Sequence, residues 1–391
     1  MRKHIGSWLI IIPIFLSFVM LISCQQQVET PPAPTPSTTP QTPIPIPAQI
    51  ETPTTSTPPP YIRSAPAVTE EEEAALSEEK FVAEDSAPVY TNPITHRITR
   101  TLTIQNETAH IDRIKVWMPL VVEWDSQRSM VTEGTTPSPN NMWMDPQYGS
   151  GVLFWEFRGE PDRGSSLIIT DQFVYTCYEV NYDIDMDKIG TYDKLDTDYV
   201  LFTSSGKYLE ANDANIVETS KEIVGNEANP YVAAKSIYDW VINHMTYQLV
   251  GGLKGAKFAY ENGYGECGDY SALFVALCRA NGIPARPVIG RWATSEAGDW
   301  HVWAEFYLPG YGWIPVDPTI ADRTGMLLDN FGHLDNARLI FNKTYNMVLH
   351  PEPHFLSSEV GFLQTLEWEY HGISGTIKLA LSYSGRPITG D

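Results

Sequence analysis

The chain has 391 residues and a formal net charge of −22. This length allows two folded domains, with room for segments that do not fold. So acidic a chain is unsuited to bind the phosphate backbone of a nucleic acid, and that class of partner is excluded.

The first residues predict an export signal. Arg2 and Lys3 precede an apolar run that ends at Ser23 and Cys24. This is the pattern of a bacterial lipoprotein signal, so residues 1–23 are predicted to be a signal peptide and Cys24 the lipidated residue. The alternative is a plain transmembrane anchor, because the run is nearly long enough to span a bilayer. Lipidation of Cys24 predicts a location in the cell envelope, anchored to the outer face of the cell membrane.

Residues 24–87 contain much Pro, Thr and Ser and then a run of acidic residues, including Glu70–Glu73. A segment of this composition cannot bury enough apolar surface to fold, so it is predicted to be a disordered tether. A long tether with a lipid anchor fits a monomer.

Residues 88–204 show short alternating segments separated by turns. Ile98, Leu102 and Ile104, for example, alternate with threonines. This pattern predicts an antiparallel β-sandwich-like domain. Its large aromatic residues fit core packing or, alternatively, a ligand groove; they include Trp117, Phe154, Trp155 and Tyr175.

Three aspartates with calcium-loop spacing follow this domain, at Asp183, Asp185 and Asp187. The sixth and twelfth positions of that loop are Lys188 and Lys194, where a calcium site needs Gly and Glu. We therefore predict no bound metal, and nothing in the sequence calls for a cofactor.

A helix is predicted to open at Asn229-Pro230, since Asn is a good cap and Pro suits the first turn. His244, near its end, is interpreted as a structural histidine favoured by the helix dipole, with a catalytic role as the alternative. The glycine-containing loop from Tyr247 to Tyr264 is either a lid or a slack connection.

A cysteine then stands at the start of a predicted helix. Cys267 follows Gly263 and Gly265, and from Asp269 onward apolar residues recur at helical spacing. The free amide groups at a helix N-terminus favour a thiolate and can stabilise an oxyanion. Cys267 is thus placed like a nucleophile.

Two predicted strands joined by a Pro/Gly turn follow, and they carry His301 and Asp317. Alternation puts both side chains on the face opposite the apolar one, roughly across the hairpin from each other. Cys267, His301 and Asp317 therefore form a candidate nucleophile, base and orienter.

These residues lie in Gly-Glu-Cys-Gly-Asp-Tyr-Ser, His-Val-Trp-Ala-Glu and Gly-Trp-Ile-Pro-Val-Asp-Pro-Thr. The stretch from about Ser205 to Thr319 resembles the transglutaminase-like superfamily. The resemblance implies a papain-like fold with Cys267 as nucleophile, His301 as general base and acid, and Asp317 as orienter. The predicted fold is thus α+β, with a papain-like transglutaminase core at residues 205–345 preceded by the β-sandwich-like domain.

Supporting roles are predicted for three further residues. Trp303 and Glu305 share the strand face of His301 and are expected either to shape the cleft or to hold a hydrogen bond that supports a site residue. Asp269, in the first turn of the Cys267 helix, is expected to favour the helix dipole and to anchor a loop. The remaining cysteines, Cys177 and Cys278, are expected to be free and buried.

The predicted activity is attack of the Cys267 thiolate on a peptide or carboxamide bond of a protein or peptide substrate, through an acyl-enzyme thioester. Hydrolysis by a cysteine protease or amidase is preferred. Transamidation by a cross-linking transglutaminase, and a non-catalytic surface protein that binds through its β domain, are the alternatives. Residues 346–391 are predicted to form a C-terminal β-hairpin segment, which could join either the core sheet or the first β domain.

Overall fold

The computed structural model describes residues 88–293, 300–354, 356 and 359–388. The predicted signal peptide, Cys24 and the tether lie outside the described residues. In the described part of the chain, the helices are too short or too polar for any of them to cross a membrane.

The described chain begins with strands, continues with helices around a second group of strands, and ends with strands. The first strands are β1 (Val89–Asn106), β2 (His110–Leu120), β3 (Gln127–Thr136), β4 (Asn141–Met144), β5 (Gly151–Arg158) and β6 (Ser166–Asn181). The helices are α1 (Thr197–Thr203), α2 (Ala214–Val224), α3 (Pro230–His244), α4 (Ala256–Asn262), α5 (Cys267–Ala280) and α6 (Pro318–Thr324), with short 3₁₀ turns at Met186–Lys188 and Leu328–Asn330. The later strands are β7 (Thr246–Tyr247), β8 (Tyr264–Gly265), β9 (Ala285–Trp292), β10 (Trp300–Leu308), β11 (Gly312–Val316), β12 (His333–Leu334), β13 (Arg338–Asn342), β14 (Met347–Val348), β15 (Glu359–Val360), β16 (Glu367–Ile373) and β17 (Ile377–Pro387).

The first domain is a sandwich of two antiparallel sheets. One sheet has the order β12-β6-β1-β17, with β3 also paired to β6, and the other has the order β16-β2-β5-β4. Ile98, Leu102 and Ile104 of β1 are fully buried, as their alternation predicts. The four aromatic residues that the sequence pattern singled out are buried too, which supports core packing over a ligand groove; they are Trp117, Phe154, Trp155 and Tyr175.

The C-terminal strands do not form the expected hairpin with each other. β16 pairs with β2 in one sheet and β17 pairs with β1 in the other, so both return to the first domain. The corner between them, residues 374–376, lies beside the corner between β1 and β2, and the Glu107 amide donates to the Thr376 carbonyl at 2.9 Å. Gly375 allows this approach, because a Cβ there would lie 2.4 Å from the backbone of Ala109. Each strand thus pairs along its length with a strand of a larger sheet. An isolated two-stranded hairpin would be only marginally stable.

The second unit has a helix packed on a sheet. α5 is buried along nearly its whole length, and it packs against β9 and β10 of the sheet β11-β10-β9-β13. α2, α3 and α4 cover its other sides. The apolar core between these elements contains Ile237, Phe274, Ile289, Val302 and Phe306. The fold is therefore α+β, as predicted.

The core sheet also packs against the sandwich. Trp303 of β10 and Val288 of β9 share a buried cluster with Tyr178 and Val180 of β6. A second cluster joins Phe341 of β13 to side chains of β1 and β6. The face of the core sheet that does not meet α5 is thus covered by the first domain.

Candidate active site

Cys267 is the first residue of α5, as the sequence predicts. The short parallel pair β7 and β8 brings the chain in, and Tyr247 pairs with Gly265 two residues before the cysteine. The Cys267 side chain is partly exposed, whereas Cys177 and Cys278 are free and buried. The sulfur therefore lies beside the free amide groups of the first helical turn, which carry partial positive charge.

Two carboxylates next to Cys267 hold the glycine-rich loop, defined here as residues 248–255. Asp269 Oδ1 accepts hydrogen bonds from the amides of Lys254 and Gly255 at 2.8 and 3.0 Å. Glu266 Oε1 accepts from the amides of Val250 and Gly251 at 2.6 and 2.7 Å. The Glu266 amide in turn donates to Asp269 Oδ2 at 3.0 Å. Glu266 and Asp269, on either side of Cys267, thus fix both the helix start and the adjacent loop.

His301 lies on β10 opposite Gly290 of β9. Its ring stacks on Trp292 with the centroids 5.4 Å apart and the planes 13° apart, and on Trp303 at 6.0 Å and 21°. Gly290 makes room for Trp303, because a Cβ at this position would lie 2.9 Å from the indole and 2.2 Å from the Leu339 carbonyl oxygen. Aromatic packing therefore limits rotation of the imidazole.

The His301 ring lies between Cys267 and the Asp317 carboxylate. Nε2 lies 2.6 Å from Asp317 Oδ2, and the Cys267 side chain is close enough to the ring to raise its pKa. Since Nε2 is taken by Asp317, Nδ1 is the nitrogen left for the sulfur. Burial lowers the pKa of His301, but the Asp317 carboxylate and Cys267 outweigh it and raise the pKa to about 9.

The two oxygens of Asp317 have separate tasks. Oδ1 accepts from the Ile320 amide at 3.0 Å and so caps α6. Oδ2 accepts from His301 and, at 2.6 Å, from Nη1 of Arg338. Burial raises the pKa of this carboxyl, but His301 and Arg338 outweigh it and lower the pKa below its ordinary value. Asp317 is therefore ionised while it orients the imidazole.

Arg338 is the site residue that sequence reasoning missed. It opens β13, and its side chain is 4% exposed. Its guanidinium also pairs with Asp335 at 2.9 Å and lies over the rings of Trp292 and Trp303 at 4.6 and 5.0 Å. The segment around it carries no catalytic motif, so an arginine beside an acidic residue at a strand start was the only signal.

The three predicted supporting residues lie in different surroundings. Asp269 holds the glycine-rich loop, as described above, and Trp303 lies under His301 and is fully buried. Glu305 is also buried, but its carboxylate pairs with Arg286 and Lys343, each at 2.8 Å, instead of facing the cleft. The reason is that this end of the strand face is covered by the sandwich and its flanking chain.

His244 has a structural environment. Its Nε2 lies 2.9 Å from the carbonyl oxygen of Tyr260, and its ring stacks on Trp240 with the centroids 4.3 Å apart. Within the described residues, no group of His, Cys, Asp and Glu side chains has the arrangement of a metal site.

The sequence matches to known proteins include the core that carries Cys267, His301 and Asp317. Residues 217–318 match the family described as the transglutaminase-like superfamily. An uncharacterized protein of Haemophilus influenzae is 28% identical over 38% of this chain and 52% of its own length. A Pseudomonas aeruginosa protein named protein-glutamine gamma-glutamyltransferase is 35% identical over 16% of this chain and 11% of its own length. The chain thus spans about half, or much less, of the curated relatives that it matches.

A solved structure from Cytophaga hutchinsonii, described as that of a candidate cysteine protease, has the same fold. It superposes with a TM-score of 0.54 over 78% of this chain and 94% of that chain, at 17% sequence identity. The structural match covers 78% of the chain, about three times the length of the family match at residues 217–318. It therefore includes the sandwich as well as the core. Residues 217–318 thus resemble the transglutaminase-like superfamily in sequence, and the described part of the chain shares the fold of the Cytophaga protein.

Proposed function

We propose that this protein is a thiol enzyme that attacks a peptide or carboxamide carbonyl and forms an acyl-enzyme thioester on Cys267. The observation that carries the proposal is the hydrogen bond from His301 to Asp317, on an imidazole that lies close enough to Cys267 for the cysteine to raise its pKa. A partly exposed sulfur at a helix start, a buried imidazole and an ionised carboxylate are the three parts that thiol acyl transfer needs.

In the first half-reaction the sulfur of Cys267 attacks the carbonyl carbon as a thiolate, while its proton is held on Nδ1 of His301, whose raised pKa keeps the imidazole protonated near neutral pH. The carbonyl oxygen becomes an oxyanion, for which the free amides at the start of α5 are the nearest donors of the helix. When the intermediate collapses, the C–N bond breaks and His301 returns the proton to the leaving amine or ammonia. Asp317 keeps Nε2 hydrogen-bonded throughout, so Nδ1 serves first as the base and then as the acid.

In the second half-reaction His301 takes a proton from the acyl acceptor, which attacks the thioester and releases the sulfur. Water as acceptor gives an acid and makes the enzyme a cysteine protease or amidase. A primary amine gives a new amide and makes it a transglutaminase. We place hydrolysis first because water needs no binding site of its own, and transamidation second because the Pseudomonas relative bears that name.

The deciding experiment supplies both acceptors together. The purified chain is incubated with a panel of glutamine-containing peptides and an excess of a labelled primary amine, and the products are weighed by mass spectrometry. Cleavage or deamidation supports hydrolysis, and incorporation of the amine at a higher rate reverses the order. Cys267→Ala removes the nucleophile, whereas Cys278→Ala is the matched control, because that thiol is buried in the same helix.

A result without Cys267-dependent products favours a different class of function. Alkylation of Cys267 by iodoacetamide, followed against pH by peptide mass spectrometry, then decides. If Cys267 reacts as an ordinary thiol and His301→Ala changes nothing, the catalytic proposal fails. The protein would then be a surface protein that binds through its β domain.

We also propose that a lipid on Cys24 anchors a monomer to the outer face of the cell membrane, with residues 24–87 as the tether. The lipobox-like end of the apolar run supports this location. Labelled fatty acid should enter the wild-type chain and not Cys24→Ala, and the variant should leave the membrane fraction. Unchanged fractionation of the unlabelled variant would point to a transmembrane anchor.

A further inference from the structure

Strand β13 has partners on both of its edges. Its inner edge pairs with β9 of the core sheet. On its outer edge, the Ile340 amide donates to Gln127 Oε1 at 2.7 Å, and Gln127 Nε2 donates to the Ile340 carbonyl at 3.1 Å. Cys177 Sγ donates to the Arg338 carbonyl at 2.7 Å. Side chains of the sandwich therefore occupy the hydrogen-bonding positions that a neighbouring strand would fill.

Gln127 and Cys177 act from one place in the sandwich. They lie directly opposite each other in the pairing of β3 with β6, and both are buried. Burial raises the pKa of the Cys177 thiol well above its usual range, so the sulfur keeps the proton that it donates. The hydrogen bonds of Gln127 and Cys177 to β13 are thus buried contacts of the interface between the two units.

The chain itself crosses between the two units just before Arg338. β12 pairs with β6 in the sandwich, and β13 begins four residues after the end of β12, in the core sheet. In the link, Asn336 Nδ2 donates to the Asn92 carbonyl of β1 at 2.6 Å. Asp335 accepts from Nε of Arg338 at 2.9 Å. The link between β12 and β13 therefore holds Arg338 both through the backbone and through its side chain.

The guanidinium end of Arg338 shares one carboxylate oxygen with the catalytic imidazole. Arg338 Nη1 and His301 Nε2 each lie 2.6 Å from Asp317 Oδ2. The charged and titratable groups that face His301 are Asp317 and Cys267, with Arg338 and then Asp335 behind the carboxylate.

We infer that Arg338 is a positioning residue of the triad, and that the sandwich holds it in place through Gln127 and Cys177. Arg338 fixes the orientation of Asp317 and offsets part of the negative charge that this carboxylate presents to His301. The inference rests on the proposed function. It also gives the β domain a task in the chemistry without making it a binding module.

The test measures the pH profile of Cys267 alkylation by iodoacetamide in the full-length chain and in matched variants. Arg338→Met removes the charge and keeps most of the stem, and Arg338→Lys keeps the charge. Cys177→Ala removes the donor to Arg338, and Cys177→Ser keeps one. Cys278→Ala removes a buried thiol that has no link to Arg338, and His301→Ala identifies the alkaline step as loss of the imidazolium proton.

Loss of the positive charge should move the alkaline midpoint upward by roughly one pH unit in Arg338→Met, because Asp317 then acts on His301 unopposed. Arg338→Lys should restore most of the wild-type value. Cys177→Ala should shift the midpoint in the same direction by less, whereas Cys177→Ser and Cys278→Ala should match the wild type. These results would support the inference, since a merely structural contact would not move the pH profile.

The inference is overturned if folded Arg338→Met keeps the wild-type midpoint while His301→Ala removes the step; the proposed function then survives. If His301→Ala also leaves the profile unchanged, the proposed function and this inference fall together. Should Arg338→Met lack a cooperative melt, Cys177→Ala decides, with Cys177→Ser as its control. A wild-type midpoint in Cys177→Ala would then overturn the inference.

Discussion

The pairing of His301 with Asp317 makes the stability of the protein depend on pH in a calculable way. The folded pKa of His301 is about 9 and its ordinary value is 6.5. Between these values the folded chain holds a proton on His301 that the unfolded chain has lost. The stabilisation is therefore fully present below pH 6.5 and is lost as the pH rises through about 9.

The size of this effect follows from proton linkage. Each pH unit in the window removes about 1.4 kcal/mol from the free energy of unfolding, and the whole window removes about 3 kcal/mol. This conversion applies because the His301 side chain is 7% exposed, so solvent screens the pair little.

The measurement is the free energy of unfolding in urea, taken from pH 6 to pH 10 for the wild type and for His301→Gln. Subtracting the two curves cancels the groups that titrate in this range without contacting His301. The difference should fall with a slope of about 1.4 kcal/mol per pH unit between pH 6.5 and 9. Asp317→Asn, which keeps the shape and removes the charge that raises the pKa, should flatten that slope. A difference that stays constant across the window would refute the pairing.

Three other substitutions test the site and its support. Cys267→Ala should lower turnover by at least about a thousandfold, whereas Cys278→Ala should retain it, measured as product release under identical conditions. Asp269→Ala should cost about 2–4 kcal/mol of unfolding free energy, because three backbone amides lose a charged acceptor, and it should open the glycine-rich loop to limited proteolysis. Glu305→Met should cost about 3–5 kcal/mol, because it leaves Lys343 charged and buried, and a urea midpoint equal to that of the wild type would contradict this.

The triad could be predicted because its signals are local. The glycines and the apolar spacing place Cys267 at a helix start, and alternation places His301 and Asp317 on one face of a hairpin. The structure has Cys267 at the first position of α5, and His301 hydrogen-bonded to Asp317. Each of these placements needs only the chain within about ten residues of the side chain.

Alternation gives the face of a strand and says nothing about what covers that face. Glu305 is on the same face as His301, as predicted, but the chain after β13 brings Lys343 over it and closes this end. Arg338 could not be predicted for a related reason. Its contact with Asp317 depends on the register of β13 against β9, and that register is fixed by long-range packing.

The C-terminal strands show the same limit at the level of topology. Their alternation is real, since Ile377, Leu379 and Leu381 lie on the more buried face of β17. A short corner between two amphipathic strands fits a hairpin within one sheet as well as a crossing between two sheets. The choice depends on which sheet edges are open, and those edges are formed by β1 and β2, more than 250 residues earlier in the chain.

This topology makes the two units interdependent. The papain-like core is inserted between β6 and β16, so the sandwich is completed only by strands that follow the core in the chain. The core in turn depends on the sandwich, which covers one face of its sheet and supplies Gln127 and Cys177 to β13. Neither unit buries its apolar surface without the other. The smallest part of the chain that retains all these contacts therefore runs from β1 to β17, and the placement of the Asp317 carboxylate is a property of that whole unit.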